Sequence, residues 1–554
     1  MRRFSDSCQP TAKCSVNRPL TPNGQSRGSS GRCSCCEFVL PLYKAHPLTG
    51  PLKVRELYEV LRTATQRTAN LLNENIPTHR LPPEILTRIL RFAVDHGSEE
   101  HAEQIIPLTH VCQYWRTLLL SHPRMWSTLW MKPGNPSIIS EWLMRSQDVP
   151  LTVIAEFADA YEHPPCRYHD SATTTLVNVV DLGVCPRHKA VLSLDQLLPH
   201  RSRIRDLDIL IHSSDPDWDD GAHDGEPTLF NHCFFRETLP NLQHLSFRAA
   251  HVEQEMYMIP VPDSLFAGEL PRLKELKYLG VVGGLTETAK NLASCEIGRW
   301  SGSAGPTIVS PNELQTLLNN NKTVKSLTIN DCELFARGHE GTATTSMTDL
   351  KFLKVYCPFP GDLESILNLI RVPQFKSLHT VWLSIPSYSI QAVATDDSGH
   401  TFEFSQPINH LNFHPLRNLG ADITTLRLDP EMTIKRLNEG PALHELFQPL
   451  DAVQALEFDG SSVSVRNVNC NVLSIPGVFP GLKVIRVAIS RDICEDSFKA
   501  LATASRLRME EGNPLAMIEP LLAEGIGESG LGQELLVEWE KRYEAEGIRN
   551  FLSK

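Results

Sequence analysis

The acidic stretch "DPDWDDGAHDGE" sets Asp215, Asp217, Asp219 and Glu226 at positions one, three, five and twelve, the spacing by which a calcium loop gathers oxygen ligands. Its turn glycine falls at position seven and a strand-like segment precedes it, so it reads as a solvated acidic loop. "GIGESG" at 525–530 has the glycine spacing of a dinucleotide phosphate turn, yet follows the helical stretch "PLAMIEPLLAE" where that turn requires a strand. Cys8, Cys14, Cys33, Cys35 and Cys36 supply thiols, but no pair of properly spaced zinc-binding dyads. HExxH and a Walker lysine loop are absent from the sequence, and the histidines show no ligand spacing. The expectation is a chain without its own catalysis, cofactor or metal, an intrinsic enzyme being the weaker alternative.

What remains is the chemistry of docking. Lys plus Arg number 53 against 65 Asp plus Glu, a formal net charge of -12 over 554 residues. That balance argues against non-specific attraction to nucleic acid or anionic lipid and favours a protein partner. No apolar run approaches the roughly 20 residues that span a bilayer, and the start "MRRFSDSCQPTAKCSVNRPL" lacks the apolar core of a secretory signal. A cytoplasmic or nuclear protein with reduced thiols is expected, in which the Asn321-Lys322-Thr323 glycosylation match is irrelevant. Residues 1–48, rich in Ser, Gly, Pro, Arg and Cys, form a tail too polar to order itself. Their acid-poor composition is shared with mitochondrial transit peptides, but they carry no convincing amphipathic stripe.

The apolar positions then define elements. Leu57, Val60, Leu61, Leu71 and Leu72 predict an amphipathic helix over 51–75. In "HRLPPEILTRILRFAVDH" the pair Pro82 and Pro83 opens a helix whose Ile85, Leu86, Ile89, Leu90 and Ala93 recur at helical spacing. "PLTHVCQYWRTLLLSHP" lines up Leu108, Val111, Cys112, Trp115, Leu118 and Leu119 as a second helix, and "RMWSTLW" adds Met125, Trp126, Leu129 and Trp130 as a third. About fifty residues in three short helices bury only part of that apolar area among themselves. The rest must meet a partner or the neighbouring domain.

These residues carry a resemblance. "LPPEILTRIL" followed by "LTHVCQYWRTLLLSHPRMWSTL" resembles an F-box, the module that docks on the Skp-family adaptor of cullin ubiquitin ligases. "EWLMRSQDVPLTVIAEF" and "LLPHRSRIRDLDI" are similar to the segments that follow the F-box in the expanded family of mushroom-forming fungi. The resemblance implies that Leu81, Pro82, Ile85, Leu86, Ile89, Leu90, Val111 and Trp115 are shared between internal packing and the adaptor, in proportions the sequence does not divide. It departs from compact examples in its long polar link "DHGSEEHAEQ". A helical end-cap with every apolar residue satisfied internally is the competing reading.

Beyond residue 138 the pattern becomes apolar-x-x-apolar-x-apolar. Nine such triplets run from Ile204/Leu207/Ile209 through Leu242/Leu245/Phe247, Leu273/Leu276/Tyr278, Val324/Leu327/Ile329, Leu350/Leu353/Val355, Leu378/Val381/Leu383, Ile423/Leu426/Leu428 and Val453/Leu456/Phe458 to Leu482/Ile485/Val487, with steps of 26 to 51 residues. "LPNLQHLSF", "LPRLKELKY" and "FPGLKVIRV" place the same turn before the strand. This resembles a degenerate leucine-rich repeat whose long steps, 51 and 45, conceal a missed unit or an insertion. The Asn or Cys expected after each strand occurs once, as Cys332.

The expected fold is therefore α/β: a three-helix F-box-like module at 79–131, an irregular leucine-rich-repeat-like solenoid at 138–490 and a helical cap at 491–554. Its role would be a substrate receptor, with the adaptor and through it a cullin as partners and neither nucleic acid nor membrane; a non-ligase repeat scaffold is the alternative. Strand alternation turns Phe352, Lys354 and Tyr356 outward beside Trp382 as a candidate substrate-binding patch.

Overall fold

The computed structural model describes residues 51–74, 76–94, 101–131, 136–158, 186–213, 232–251, 259–260, 265–282, 289–299, 307–334, 344–357, 360–384, 389–407, 416, 419, 421–428, 447, 450–458, 478–488, 495–521 and 530–551. The 1–48 tail with its cysteines, the acidic run 215–226 and all but the last residue of "GIGESG" lie outside these.

By contact the chain divides into two units, Met1–Leu81 and Pro82–Lys554. The first contains helix α1 (Pro51–Glu74) and one 3-10 turn, Pro77–Arg80. In α1, Leu57 and Leu61 are half-buried while Tyr58 and Val60 are exposed. The periodicity had put Val60 on the packed stripe, and the structure corrects this.

The second unit opens with α2 (Pro83–Ala93), α3 (His101–Leu108) and α4 (Gln113–Leu120). The single second helix expected from 107 onward is broken. A turn spans residues 109–111, and Cys112, extended, accepts the Trp115 backbone N–H at 3.4 Å to start α4. The expected third helix is one 3-10 turn, Pro123–Trp126, that runs into strand β1 (Thr128–Met131). With Leu129 and Met131 buried on one side, period two wins over period 3.6.

Fifteen strands form one sheet. After β1 come β2 (Leu151–Ala158), β3 (Ile204–Ser213), β4 (His244–His251), β5 (Glu275–Leu279), β6 (Ser294–Gly298), β7 (Ser326–Asn330), β8 (Phe352–Tyr356), β9 (Thr380–Ser384), β10 (Ser389–Thr395), β11 (Thr401–Pro407), β12 (Thr425–Leu428), β13 (Ala455–Phe458), β14 (Val484–Ala488) and β15 (Met517–Leu521). Connections carry α5 (Pro136–Ser146), α6 (Pro186–Leu197), α7 (Pro311–Asn320), α8 (Pro360–Leu369) and α9 (Glu495–Glu510), and α10 (Gly530–Ala545) follows β15. The architecture is mixed α/β with a large, mostly parallel sheet.

Two rows of apolar side chains cross the sheet in register. One runs through Val153, Leu207, Leu245, Leu276, Cys295, Leu327, Leu353 and Phe402. The other runs two residues further along, through Ala155, Ile209, Phe247, Tyr278, Ile297, Ile329, Val355 and Phe404. All are buried, and a slip of one residue would turn each row into solvent. The register is set by a recurrent turn ahead of the strand, in which the N–H of Leu242, Leu273, Val324, Leu378, Val453 or Leu482 donates to the carbonyl three residues earlier. Asn321 supports one such turn: its Oδ1 accepts from Leu292 N, and its Nδ2 donates to the Ala289 and Leu317 carbonyls. Only 2% exposed, this side chain is part of the core rather than a glycan acceptor.

The last two residues of each of the nine triplets fall on a strand of this sheet, the first standing just ahead of it except at Ile204, and both long steps have a cause. The step of 51 conceals β6, whose Leu292/Cys295/Ile297 repeats the triplet. The step of 45 contains an insertion. The spatial order there is β8, β11, β10, β9, β12, with β10 antiparallel to both its neighbours. Asp396 makes the β10–β11 turn by accepting the backbone N–H groups of Ser398 and His400, each at 2.9 Å. The sheet also overruns the expected 138–490 limits: β1 precedes them, and β15 lies inside the tail expected to be helical. Pro520 in β15 lacks an N–H, which the last strand of a sheet tolerates.

Gly298 closes β6 with φ at +123°, and a Cβ there would sit 1.8 Å from the Asn330 carbonyl oxygen. Gly298→Ala is expected to lower stability by about 3 kcal/mol or more, read as a reduced denaturant midpoint at unchanged slope.

Candidate functional site

Helix α2 has two apolar faces. Pro83 occupies its first turn, where a missing N–H costs nothing, and Leu86, Leu90 and Val94 are buried. Ile85, Ile89 and Phe92, spaced by four and three residues, share a different stripe and are 46%, 47% and 80% exposed. Ile106 of α3 and Val111 of the following turn are exposed as well. The guanidinium of Arg88 lies 5.8 Å from the Phe92 ring centroid, and Arg91 and Arg124 stand near His122, whose pKa burial and these two cations hold below its ordinary value. The face is apolar with arginines about it. Its chemistry is burial against another surface, worth about 1 kcal/mol for each half-exposed large side chain covered.

The structure divides the residues that the sequence could not. Of the set expected to be shared between internal packing and the adaptor, Leu86 and Leu90 lie in the chain's own core, 1% and 2% exposed. Pro82, Ile85, Ile89 and Val111 are exposed. Leu81 is half-buried and belongs to the first unit. Trp115 is half-buried, its Nε1 enclosed with no acceptor among the described residues. Phe92 and Ile106 were missed, although Phe92 stands seven residues after Ile85 and so falls on the same stripe.

A second surface is the face of the sheet away from the two buried rows. Along its middle, Lys277, Glu296, Lys354, Glu403, Arg427, Glu457, Arg486 and Glu519 sit between the buried rows on their strands. Ion pairs join Lys277 to Glu296 at 3.3 Å, Lys354 to Glu403 at 2.6 Å, and Arg486 to Glu457 and Glu519 at 2.9 and 3.0 Å. Phe352, Lys354 and Tyr356 share this face, half-exposed, as does Trp382 at 45%. Trp382 is not beside them: the inserted β11 and β10 intervene, so the single aromatic patch expected from adjacent strands is corrected to two separate places.

Asp195, His232 and Cys233 place three donor groups within 4.8 Å of one another. Both imidazole nitrogens are in use, Nδ1 accepting the Phe234 N–H at 3.2 Å and Nε2 facing Asp195 Oδ1 at 3.2 Å. Through the Nδ1 contact His232 caps the one-turn helix Cys233–Arg236. Burial pushes the Cys295 thiol up to about 12 and raises Cys332 and Cys357 further, which keeps these thiols protonated and inert.

A comparison with protein families finds no family model that matches the chain, and a comparison with curated proteins finds no match either. The class of protein is therefore defined by its architecture: a long, mostly parallel sheet preceded by helices that leave an apolar stripe uncovered. No helix among the described residues is long and apolar enough to cross a membrane.

The two faces of α2 should respond oppositely to truncation. Leu90→Ala is expected to cost about 2–5 kcal/mol, whereas Ile89→Ser changes the stability of the isolated chain by less than about 0.5 kcal/mol. Chemical denaturation of the two variants tests this, and equal losses would show the stripe to be internal.

Proposed function

We propose that this chain is a non-catalytic substrate receptor of a Skp-cullin-F-box ubiquitin ligase. Its helices 82–131 act as the F-box and dock on the Skp-family adaptor, and its sheet, read as a divergent leucine-rich-repeat solenoid, presents a protein substrate. The observation that carries the reading is the uncovered stripe Ile85, Ile89 and Phe92 on a helix whose other face is buried. Soluble monomers rarely leave a contiguous apolar patch to water unless it meets a partner. The recurrent turn and in-register rows support the repeat reading, each unit being one strand that buries its apolar side only against its neighbours.

In this reading the chemistry belongs to an associated ubiquitin-conjugating enzyme. The receptor contributes effective concentration, holding substrate near a charged enzyme instead of leaving the encounter to diffusion. Cytoplasm or nucleus is the compartment that such a ligase implies. A repeat scaffold outside any ligase is the second reading. It is favoured by the continuity of 82–131 with the sheet through β1, which lets those helices serve as an end-cap.

Pulldown of the purified full chain with a Skp-family adaptor separates the two. Ile85→Asp with Ile89→Asp places charges on exposed positions and is expected to weaken adaptor binding at least about tenfold, with the circular dichroism spectrum unchanged. Failure of the parent chain to bind any Skp-family adaptor would remove the ligase reading and leave the scaffold.

A further inference from the structure

The turns and first residues of β5 to β8 form a basic rim. Lys274, Lys290, Lys322, Lys325 and Lys351 are exposed there and carry no ion pair with any other described residue. Three of them occupy one register line: Lys351 N donates to Lys325 O, Lys325 N to Ala293 O, and Ala293 N to Lys274 O. Against these cations the rim holds Glu269 and Asp349, while Glu275 is turned toward His244 at 3.7 Å. Further along the sheet, beyond β11, β10 and β9, the character changes: the turns before β12 and β13 carry Asp422 and Asp451.

The neighbouring sheet face extends this character. In the ion pairs Lys277–Glu296 and Lys354–Glu403 the cation is the outer member, 54% and 38% exposed against 26% and 12% for the carboxylates. Between rim and pairs lies the register row Ser294, Ser326 and Phe352. The two serines are short enough for a backbone to approach, and the half-exposed Phe352 ring stands at their end. From Lys274 to Lys351 the rim crosses three strand spacings, about 14 Å, the span of roughly four residues of extended chain.

We propose that the rim of β5 to β8 docks an acidic protein segment, with carboxylates on Lys274, Lys325 and Lys351 and an apolar side chain against Phe352. The proposal rests on the reading of the sheet as the substrate-presenting surface and gives that substrate its chemistry. The short run of cations favours a peptide over a nucleic acid, whose phosphates would track a longer line of them.

The test is fluorescence anisotropy on the full chain with a short labelled peptide of alternating glutamate and alanine around one leucine. The same peptide with glutamine for glutamate, and an oligonucleotide of equal charge, are run beside it. The glutamate peptide is expected to bind about tenfold tighter than the glutamine peptide, with an affinity that falls as salt rises. Lys274→Gln, Lys325→Gln and Lys351→Gln together should abolish that advantage without lowering the melting temperature, since these side chains form no ion pair among the described residues; Lys483→Gln should leave it intact. Equal binding of the two peptides, an unaffected triple variant, or tighter binding of the oligonucleotide would each overturn the proposal. Adaptor pulldown of the same variants keeps the two readings apart. Peptide binding without adaptor binding removes the ligase and leaves the rim standing, and adaptor binding without any peptide preference does the reverse.

Discussion

The structure depends on two rows of apolar side chains staying in step across the sheet. Each strand is only four to ten residues long, too short to hold a register by backbone pairing alone, and what fixes it is the requirement that both rows face the same buried side. The recurring turn before the strand returns the chain to the same phase. Everything on the open face inherits its place from this constraint: if Leu353 and Val355 are inside, then Phe352, Lys354 and Tyr356 must be outside.

That logic explains why so much of the sheet could be read from sequence. Three apolar residues at fixed spacing give both the strand and its phase, and each of the nine triplets ends on a strand. The failures have equally physical causes. β6 is the unit inside the long step of 51, and its central residue Cys295 packs as a small apolar side chain. The β10–β11 pair broke the rule of neighbours, since nothing in the residues themselves says that β9 lies three strand positions from β8. Hence the outward direction of Trp382 was legible while its distance from Tyr356 was not. At the β1 and β15 ends, "MWSTLWM" and "AMIEPLL" satisfy helical and alternating patterns alike, and the contacts available at each end of the sheet decided in favour of strand.

For the helices the ambiguity was one of allocation. Periodicity shows that α2 is apolar over much of its circumference, but a single helix cannot say which of its faces its own chain will cover. Tertiary packing settles this in favour of Leu86, Leu90 and Val94, leaving Ile85, Ile89 and Phe92. Burying the second stripe internally would have required another element of this unit on that side. Among the described residues none is there.

The exposed stripe and the sheet are mechanically joined. Trp126 donates its indole N–H to the Leu119 carbonyl of α4 at 2.9 Å, meets Trp142 of α5 edge-on at 5.0 Å and lies under the Arg145 guanidinium at 4.4 Å. Thr128, two residues later, begins β1. Helix α4, against which α2 packs, is thereby tied through a fully buried ring to the first strand of the sheet. A receptor working by proximity needs that stiffness, because effective concentration falls as the linkage between two binding surfaces loosens. A flexible tether would have served simple co-recruitment. The buried tryptophan pair at this joint instead fixes one orientation of the sheet relative to α4 and α5.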